Sequence, residues 1–321
     1  MGMATKGAQQ KTQKNQQVMN MTEDQARAHI EAIRWPNGPA CVHCGSVNVY
    51  RMEGKTTRAG LLACRDCRQH FTCTVGTVME DSHLPLATWI RAFHLMATSK
   101  KGMSALQLQR NLGLGSYRTA WHLAHRIRLA MKCEPVSGLL KGAVQCDETY
   151  IGADRTKIHH VRKGEQPRKR GRGTDKTAVF ALVETDGRAH SQPIANIKGE
   201  TLRAEMVKHI DPSAIIVTDE LASYPKAAVG FSGHERVKHR AEEYVNAGGF
   251  HTNTAESYFA LLKRGVIGSF HHVSPKHLHR YCDEFSFRWN GRKMEDSDRR
   301  DLAIQQVEGK RLMYRSPLDH A

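Results

Sequence analysis

Two aspartates each stand directly after a short run of apolar and β-branched residues. Asp147 follows residues 143–146, and Asp219 follows residues 215–218. Both runs predict β-strands, and in open α/β sheets the functional groups gather beyond the carboxyl ends of the strands. A lone aspartate at such a position is more often a turn or capping residue, but two of them can converge on one divalent cation.

A carboxylate and an amine share one face of a predicted helix over residues 254–264. Thr254 can cap this helix, which places Glu256 in its first turn. Lys263 follows seven residues later, on the same face and about 10 Å further along the axis. This pair could serve a metal ion and a nearby phosphate, and the alternative is a solvated charge pair.

Three carboxylates of this kind are sufficient for phosphodiester chemistry with Mg²⁺ or Mn²⁺. Two such ions about 4 Å apart can clamp the attacking and the leaving oxygen, and hard cations prefer carboxylate ligands. The candidate ligands are Asp147, Asp219 and Glu256. Glu148 and Glu220 directly follow the aspartates and are alternatives, but we prefer the aspartates because they lie nearer to the predicted strand ends.

A second metal site is predicted from two Cys-x-x-Cys pairs that are separated by 19 residues. Each pair lets one tight turn present two thiolates, and two such turns complete a closed, structural zinc site. The alternative is redox chemistry, which needs one pair at a helix N-terminus. His43 and Cys73 could be ligands in a variant geometry, but we expect them to be bystanders. The predicted zinc ligands are Cys41, Cys44, Cys64 and Cys67.

The chain of 321 residues carries a net charge of +16, which is typical of proteins that bind nucleic acid. Basic residues are densest in a Gly- and Pro-containing stretch after Asp147. A loop there could hold a phosphate backbone, and the alternative is a solubilising loop. Its lysines and arginines are Arg155, Lys157, Arg162, Lys163, Arg168, Lys169, Arg170, Arg172 and Lys176.

The elements that must position these residues fall into five regions. No apolar run is long enough to span a membrane and no secretory signal precedes the first region, so we expect a cytoplasmic protein. Residues 79–137 contain a helix, a Gly-containing turn at 111–115 and a basic helix, which is the helix-turn-helix pattern. The predicted regions are a flexible basic arm and short helix (1–35), a zinc ribbon (36–78), a helical DNA-binding region (79–137), an α/β catalytic domain (138–290) and a charged C-terminal tail (291–321).

Several short motifs, taken together, resemble the bacterial insertion-sequence transposases of the ISXO-like, zinc-ribbon-bearing group. The resemblance covers about residues 36–290, and the motifs are specific in combination. They are Asp-Glu-Thr-Tyr-Ile-Gly at 147–152, Thr-Asp-Glu at 218–220, His-Thr-Asn at 251–253 with Glu256, Leu-Lys-Arg-Gly at 262–265, Ile-Gly-Ser-Phe-His-His-Val-Ser at 267–274, Lys-His-Leu at 276–278, Arg-Tyr at 280–281 and Asp-Glu-Phe-Ser-Phe-Arg at 283–288.

The resemblance implies a ribonuclease H-like catalytic domain with a DDE-type metal centre. It makes Asp147 and Asp219 metal ligands. Some members of the group use Asn in the third position, so Asn253 is the alternative to Glu256. We prefer Glu256 because its distance to Lys263 matches the usual carboxylate-to-lysine spacing of DDE transposases. Lys263 would contact DNA near the scissile phosphate, and Arg264 is the basic residue beside it.

The activity implied by the resemblance is DNA transposition. A metal-activated water would cut at the end of the element, and the freed 3′-hydroxyl would attack target DNA without a covalent protein–DNA intermediate. The ribbon and the helical region would recognise terminal inverted repeats, and pairing two ends implies a homodimer or a larger synaptic complex, associated with the nucleoid. The alternatives are a zinc-ribbon regulator that binds DNA without catalysis, and a ribonuclease H-type nuclease or resolvase that cuts but does not join.

Overall fold

The chain divides into two compact units. The computed structural model describes residues 16–132, 138–152, 176–185, 187–237, 245 and 248–314. The first unit combines Met1–Lys132 with Lys293–Ala321, and the second is Cys133–Arg292. Within the described ranges, no helix has both the length and the apolar character needed to cross a membrane.

The first unit contains a small antiparallel sheet of three strands in the order β1-β2-β3. Leu62 and Phe71 form its core together with two cysteines, and Trp35 meets the ring of Phe71 edge-on at 5.9 Å. So small an apolar core is marginal without a further cross-link such as a metal ion. The strands are β1 (Val49–Arg51), β2 (Leu62–Cys64) and β3 (His70–Phe71).

Helices make up the rest of the first unit. They are α1 (Glu23–Arg34), α2 (Leu86–Thr98), α3 (Ala105–Leu112), α4 (Tyr117–Ala130) and α9 (Asp296–Gln305). Helix α9 packs against α2, so the region predicted as a charged tail contributes a helix to this unit. Between α3 and α4, Gly113 takes the left-handed conformation (φ 63°) that ends α3, and Ser116 precedes α4. The predicted pair of helices with a Gly-containing turn is confirmed as local structure.

A residue in the first turn of α1 caps the N-terminus of α2. Helix α1 begins with a capping box, in which the hydroxyl of Thr22 accepts from the backbone N–H of Gln25 and the side chain of Gln25 accepts from the backbone N–H of Thr22. The carboxylate of Glu23 then accepts from the backbone N–H groups of Leu86 and Ala87, at 2.8 and 3.1 Å. Helix α2 lacks a side-chain cap of its own, so this carboxylate satisfies its first donors.

The second unit is built around a five-stranded mixed sheet in the order β6-β5-β4-β7-β8. Strand β4 pairs antiparallel with β5 and parallel with β7, which places it at the centre. The strand predicted at 215–218 is confirmed. The elements are β4 (Ala143–Ile151), β5 (Thr177–Glu184), β6 (Ala189–Ile194), α5 (Gly199–His209), β7 (Ile215–Thr218), α6 (Tyr224–Ala227), β8 (Gly233–Arg236), α7 (Asn253–Gly265), a π-helical turn (Val266–Phe270) and α8 (Pro275–Asn290).

Helices cover both faces of this sheet. On one face, Val144 and Cys146 pack with residues of α5 and α6. On the other face, Ile151, Val179 and Ala181 pack with residues of α7 and α8. The sheet therefore has an apolar layer on each face. A polar side chain of β4 that points into either layer has few positions in which it can form hydrogen bonds.

Gly265 at the end of α7 allows α8 to pack closely. A Cβ atom at this position would lie 2.0 Å from the ring of Phe285, which is fully buried. We therefore expect Gly265→Ala to lower the free energy of unfolding by roughly 1–3 kcal/mol through overpacking, although Ala favours helix over Gly. Gly268→Ala is the control, because nothing lies within 4 Å of its Cβ position. Urea denaturation of both variants measures the difference, and equal stability of the two would contradict the packing argument.

Candidate functional site

The register of the parallel strands places the two predicted aspartates level with each other. One prediction is wrong: strand β4 does not end at Cys146 but continues to Ile151, because β5 pairs along its whole length. Strand β7, however, pairs only with Ala143–Cys146, and Cys146 is opposite Thr218. Asp147 is therefore mid-strand, yet it is the first residue beyond the parallel pairing, as Asp219 is on β7.

The structure separates Asp147 from its neighbour Glu148, since adjacent side chains of a strand point to opposite faces. Asp147 is opposite Ala181, which packs in the core beneath α7 and α8. Glu148 is opposite Phe180 in the other core, where it accepts a hydrogen bond from the hydroxyl of Tyr224 at 2.7 Å. Tyr224 is fully buried, and burial followed by the charge of Glu148 raises its pKa. Glu148 thus has a structural partner on the face away from α7.

Gln145, which the sequence analysis did not single out, fastens α7 to the sheet. Its fully buried side chain accepts from the backbone N–H of Ala255 at 2.9 Å. Its amide nitrogen lies 3.2 Å from the hydroxyl of Thr254 and 3.2 Å from Nδ1 of His251. A polar residue inside an apolar strand was the available signal in the sequence. Glu256 directly follows Ala255 on α7, and Asp147 is two residues after Gln145 on β4. The hydrogen bonds of Gln145 therefore determine the position of Glu256 relative to Asp147.

The first turn of α7 differs in one detail from the prediction. The helix begins at Asn253 with Thr252 as its N-cap, so Thr254 is not the cap. The hydroxyl of Thr254 instead donates to the carbonyl of Thr185 at 3.2 Å, which adds a second connection to the sheet. Glu256 lies in the first turn as predicted, and both Asn253 and Glu256 are exposed.

Electrostatics links the three predicted acids. The pKa of Asp147 is raised to about 7, first by burial and then by the charges of Glu148, Asp219 and Glu256, while the hydrogen bond from the backbone N–H of Glu148 lowers it. Asp219 is half-buried and its carboxylate accepts from the backbone N–H of Leu221 at 3.0 Å. Glu220 is exposed. Burial and the neighbouring acids make Asp147 resist ionisation, and a bound cation would stabilise its charged form.

Lys263 lies on the exposed side of α7, seven residues after Glu256. Its ammonium group is 6.0 Å from the ring centre of Phe259, and Arg264 is exposed beside it. Most of the predicted basic loop lies outside the described residues, namely Arg155, Lys157, Arg162, Lys163, Arg168, Lys169, Arg170 and Arg172; Lys176 is described and half-buried.

The four predicted zinc ligands come together. The sulfur atoms of Cys41 and Cys67 are 3.5 Å apart, those of Cys44 and Cys64 are 3.7 Å apart, and all four lie within 4.8 Å of one another. Tetrahedral coordination at a zinc–sulfur distance of about 2.3 Å places thiolates about 3.8 Å apart. The four sulfurs therefore fit one Zn²⁺. Neither His43 nor Cys73 belongs to the cluster.

The acids form a looser group than the cysteines. Among the described residues, only the four cysteines bring three or more possible ligand atoms within 4.8 Å of one another. The donor set of Asp147, Asp219 and Glu256 is all oxygen, which suits Mg²⁺ or Mn²⁺ and not a soft cation. The two groups of residues therefore fit two different kinds of metal ion.

Comparisons with known proteins place the cysteines and the acids in two separate family matches. Residues 21–70 match the family model of the transposase zinc-ribbon domain, and residues 139–290 match that of the ISXO2-like transposase domain. A protein described as an uncharacterized protein in transposable element ISH50, from Halobacterium salinarum, is 29% identical over 279 residues, which cover 84% of this chain and 91% of the relative. The paired aspartates and the tie to α7 lie within the second of the two matched segments.

Removal of one zinc ligand provides a test of the cysteine cluster. We expect Cys44→Ala to lose the bound zinc and to unfold the ribbon, because binding of a structural zinc contributes directly to folding. Cys73→Ala is the matched control, because Cys73 is buried outside the cluster. Metal analysis of the purified variants measures zinc per chain. Loss of zinc from both variants, or from neither, would rule out the four-cysteine assignment.

Neutralising Asp147 should stabilise the protein when no Mg²⁺ or Mn²⁺ is added. Because the pKa of Asp147 is raised to about 7 in the folded state, the folded protein binds this proton more tightly than the unfolded chain, and stability falls as the pH rises from about 4 to 7. We therefore expect Asp147→Asn to raise the free energy of unfolding at pH 8 by on the order of 1 kcal/mol, and to change it little at pH 4.

The matched control for this measurement is Glu220→Gln, which removes an exposed carboxylate. Urea denaturation at the two pH values gives the comparison. A destabilisation by Asp147→Asn of equal size at both pH values would show that the carboxyl group is not under electrostatic strain.

Proposed function

From the premise that this chain belongs to the zinc-ribbon-bearing, ISXO2-like transposases of insertion sequences, we propose that it cuts the ends of its element and joins them to target DNA. The observation that carries the chemical part of the proposal is the level placement of Asp147 and Asp219 on adjacent parallel strands, with Glu256 in the same electrostatic group. The five-stranded mixed sheet with helices on both faces supports a ribonuclease H-like fold.

The proposed ligands of the catalytic metal are Asp147, Asp219 and Glu256. When bound, Mg²⁺ or Mn²⁺ would activate the attacking oxygen and stabilise the leaving oxygen of a phosphodiester. Glu256 is preferred over Asn253 because its charge is among those that raise the pKa of Asp147. The role of the protein is to gather these carboxylates before the metal arrives, and the tie through Gln145 holds Glu256 in place.

The basic residues provide the proposed contacts with DNA. Lys263 extends from the same exposed face of α7 as Glu256, so its ammonium group can bind a phosphate next to the one that reacts. Arg264 and the basic loop at 155–176 would bind the backbone further away. The ribbon and the pair α3 and α4 would recognise the terminal inverted repeats. Because transposition joins two ends, we propose that at least two copies of the chain act together.

Substitution of the aspartates tests the proposed chemistry. We expect Asp147→Asn and Asp219→Asn to reduce Mg²⁺-dependent cleavage of DNA that contains the sequences bracketing the gene by roughly a thousandfold, because several kcal/mol of transition-state stabilisation are lost. Glu148→Gln and Glu220→Gln are the matched controls, since Glu148 lies on the opposite face and Glu220 is exposed. Full cleavage by either aspartate variant would refute the assignment.

The third ligand is tested in the same assay. Glu256→Gln is expected to lose cleavage to a similar extent, whereas Asn253→Ala is expected to retain it; the reverse result would transfer the role to Asn253. A second substrate with pre-cut ends separates joining from cutting, because a nuclease or resolvase would cleave the first substrate but leave the second unjoined. Binding of the repeats without either reaction would indicate a DNA-binding regulator.

A further inference from the structure

The exposed stripe of α7 that begins at Glu256 continues beyond the end of the helix. Glu256, Ala260 and Lys263 are all exposed and share one helical face, since they are four and three residues apart. The π-helical turn carries this stripe on to Ile267, which is 71% exposed and is the most exposed large hydrophobic side chain among the described residues of its unit. This side chain is therefore available to contact a partner that also meets the rest of the stripe.

Charge identifies the class of that partner. From Ser257 to Cys282 the chain contains two lysines, two arginines and four histidines but no aspartate or glutamate. Lys263, Arg264 and Lys276 are exposed. Burial lowers the pKa of His277, and the charges of Arg280 and Lys276 lower it further, which reports a positive potential here. Such a surface favours a polyanion.

The segment that carries Ile267 is fastened to the core beneath it. Val266 and Val273 are buried, and the ring of Phe270 packs edge-on against Tyr281 with centroids 4.8 Å apart. His271 adopts a positive φ of 59°, and the N–H of His272 donates to the carbonyl of Phe270 at 2.6 Å, which makes a strained γ-turn. Strained turns and π-helical turns occur preferentially where they serve binding.

We propose that residues 263–276, here called the basic ridge, bind the duplex that flanks the scissile phosphate, with Lys276 on a backbone phosphate and Ile267 against sugars or base edges. This inference rests on the proposed function, which supplies the scissile phosphate at the other end of the stripe. At about 1.5 Å per residue, Ile267 lies roughly 16 Å from Glu256, which corresponds to about five nucleotides at about 3.4 Å each. Apolar side chains in a basic setting are used by DNA-binding proteins to contact or part neighbouring bases.

The phosphate contact is tested by the salt dependence of binding. The full-length, zinc-loaded protein is titrated with a mixed-sequence DNA duplex in Ca²⁺, so that binding is measured without cleavage. Loss of one phosphate contact lowers the slope of log K against log salt by about one and weakens binding about fivefold near 0.15 M salt. We expect this result for Lys276→Ala. Lys226→Ala is the matched control, because Lys226 is an exposed lysine of α6, on the opposite face of the sheet.

The apolar contact has a different signature. Ile267→Ala should weaken binding about threefold or more while the salt slope stays unchanged, because the lost contact involves no counterion. Val229→Ala is the matched control, as Val229 is 62% exposed and follows α6. Wild-type affinity and slope in both ridge variants would overturn the proposal.

The two proposals fail in different ways. In one case the wild-type protein binds DNA and the ridge variants bind it less tightly, but no cleavage occurs in Mg²⁺ or Mn²⁺. That result would support the basic ridge as a DNA-binding surface and refute the proposed chemistry. In the other case the wild-type protein cleaves DNA, and the ridge variants bind and cleave it equally well. That result would support the proposed chemistry and refute the DNA-binding role of the basic ridge.

Discussion

One buried amide determines how the helix that carries Glu256 meets the strand that carries Asp147. Gln145 is fully enclosed in the central strand, and its side chain accepts from the backbone of Ala255 while its nitrogen lies within hydrogen-bond distance of Thr254. An unsatisfied amide at such a position costs on the order of 1–3 kcal/mol, which disfavours other registers of the helix on the sheet. The register of β4 against β7 then fixes Asp147 against Asp219. Both relations needed to gather three carboxylates thus depend on β4.

This arrangement works against the stability of the site itself. Burial of Asp147, together with repulsion from the neighbouring carboxylates, raises the pKa of Asp147. The repulsion is offset by apolar layers on both faces of the sheet, where Val144 and Cys146 pack on one side and Ile151 on the other. Functional sites commonly retain such locally unfavourable contacts because the surrounding packing stabilises them.

Local patterns predicted much of this structure, and long-range pairing explains what they missed. The Gly-containing turn at 111–115, the four cysteines and the strand before Asp219 depend on neighbouring residues or fixed spacing, so the sequence was sufficient. The polar residues from Asp147 onward looked like the end of a strand, but pairing with the apolar strand β5 keeps them in the sheet. The tie from Gln145 to Ala255 spans 110 residues, and only the fold reveals it.

Helix α7 is held by specific contacts at both of its ends. Its first turn is fastened to β4, and its last residue, Gly265, allows the ring of Phe285 to pack directly on its backbone. A helix fixed at both ends cannot tilt independently of the sheet, so the exposed stripe from Glu256 to Ile267 has a set direction. A carboxylate at one end and a basic surface at the other are therefore held at a constant separation. This rigidity would let the position of the duplex determine which phosphate reaches the carboxylates, because a pre-organised surface orders its ligand at little entropic cost.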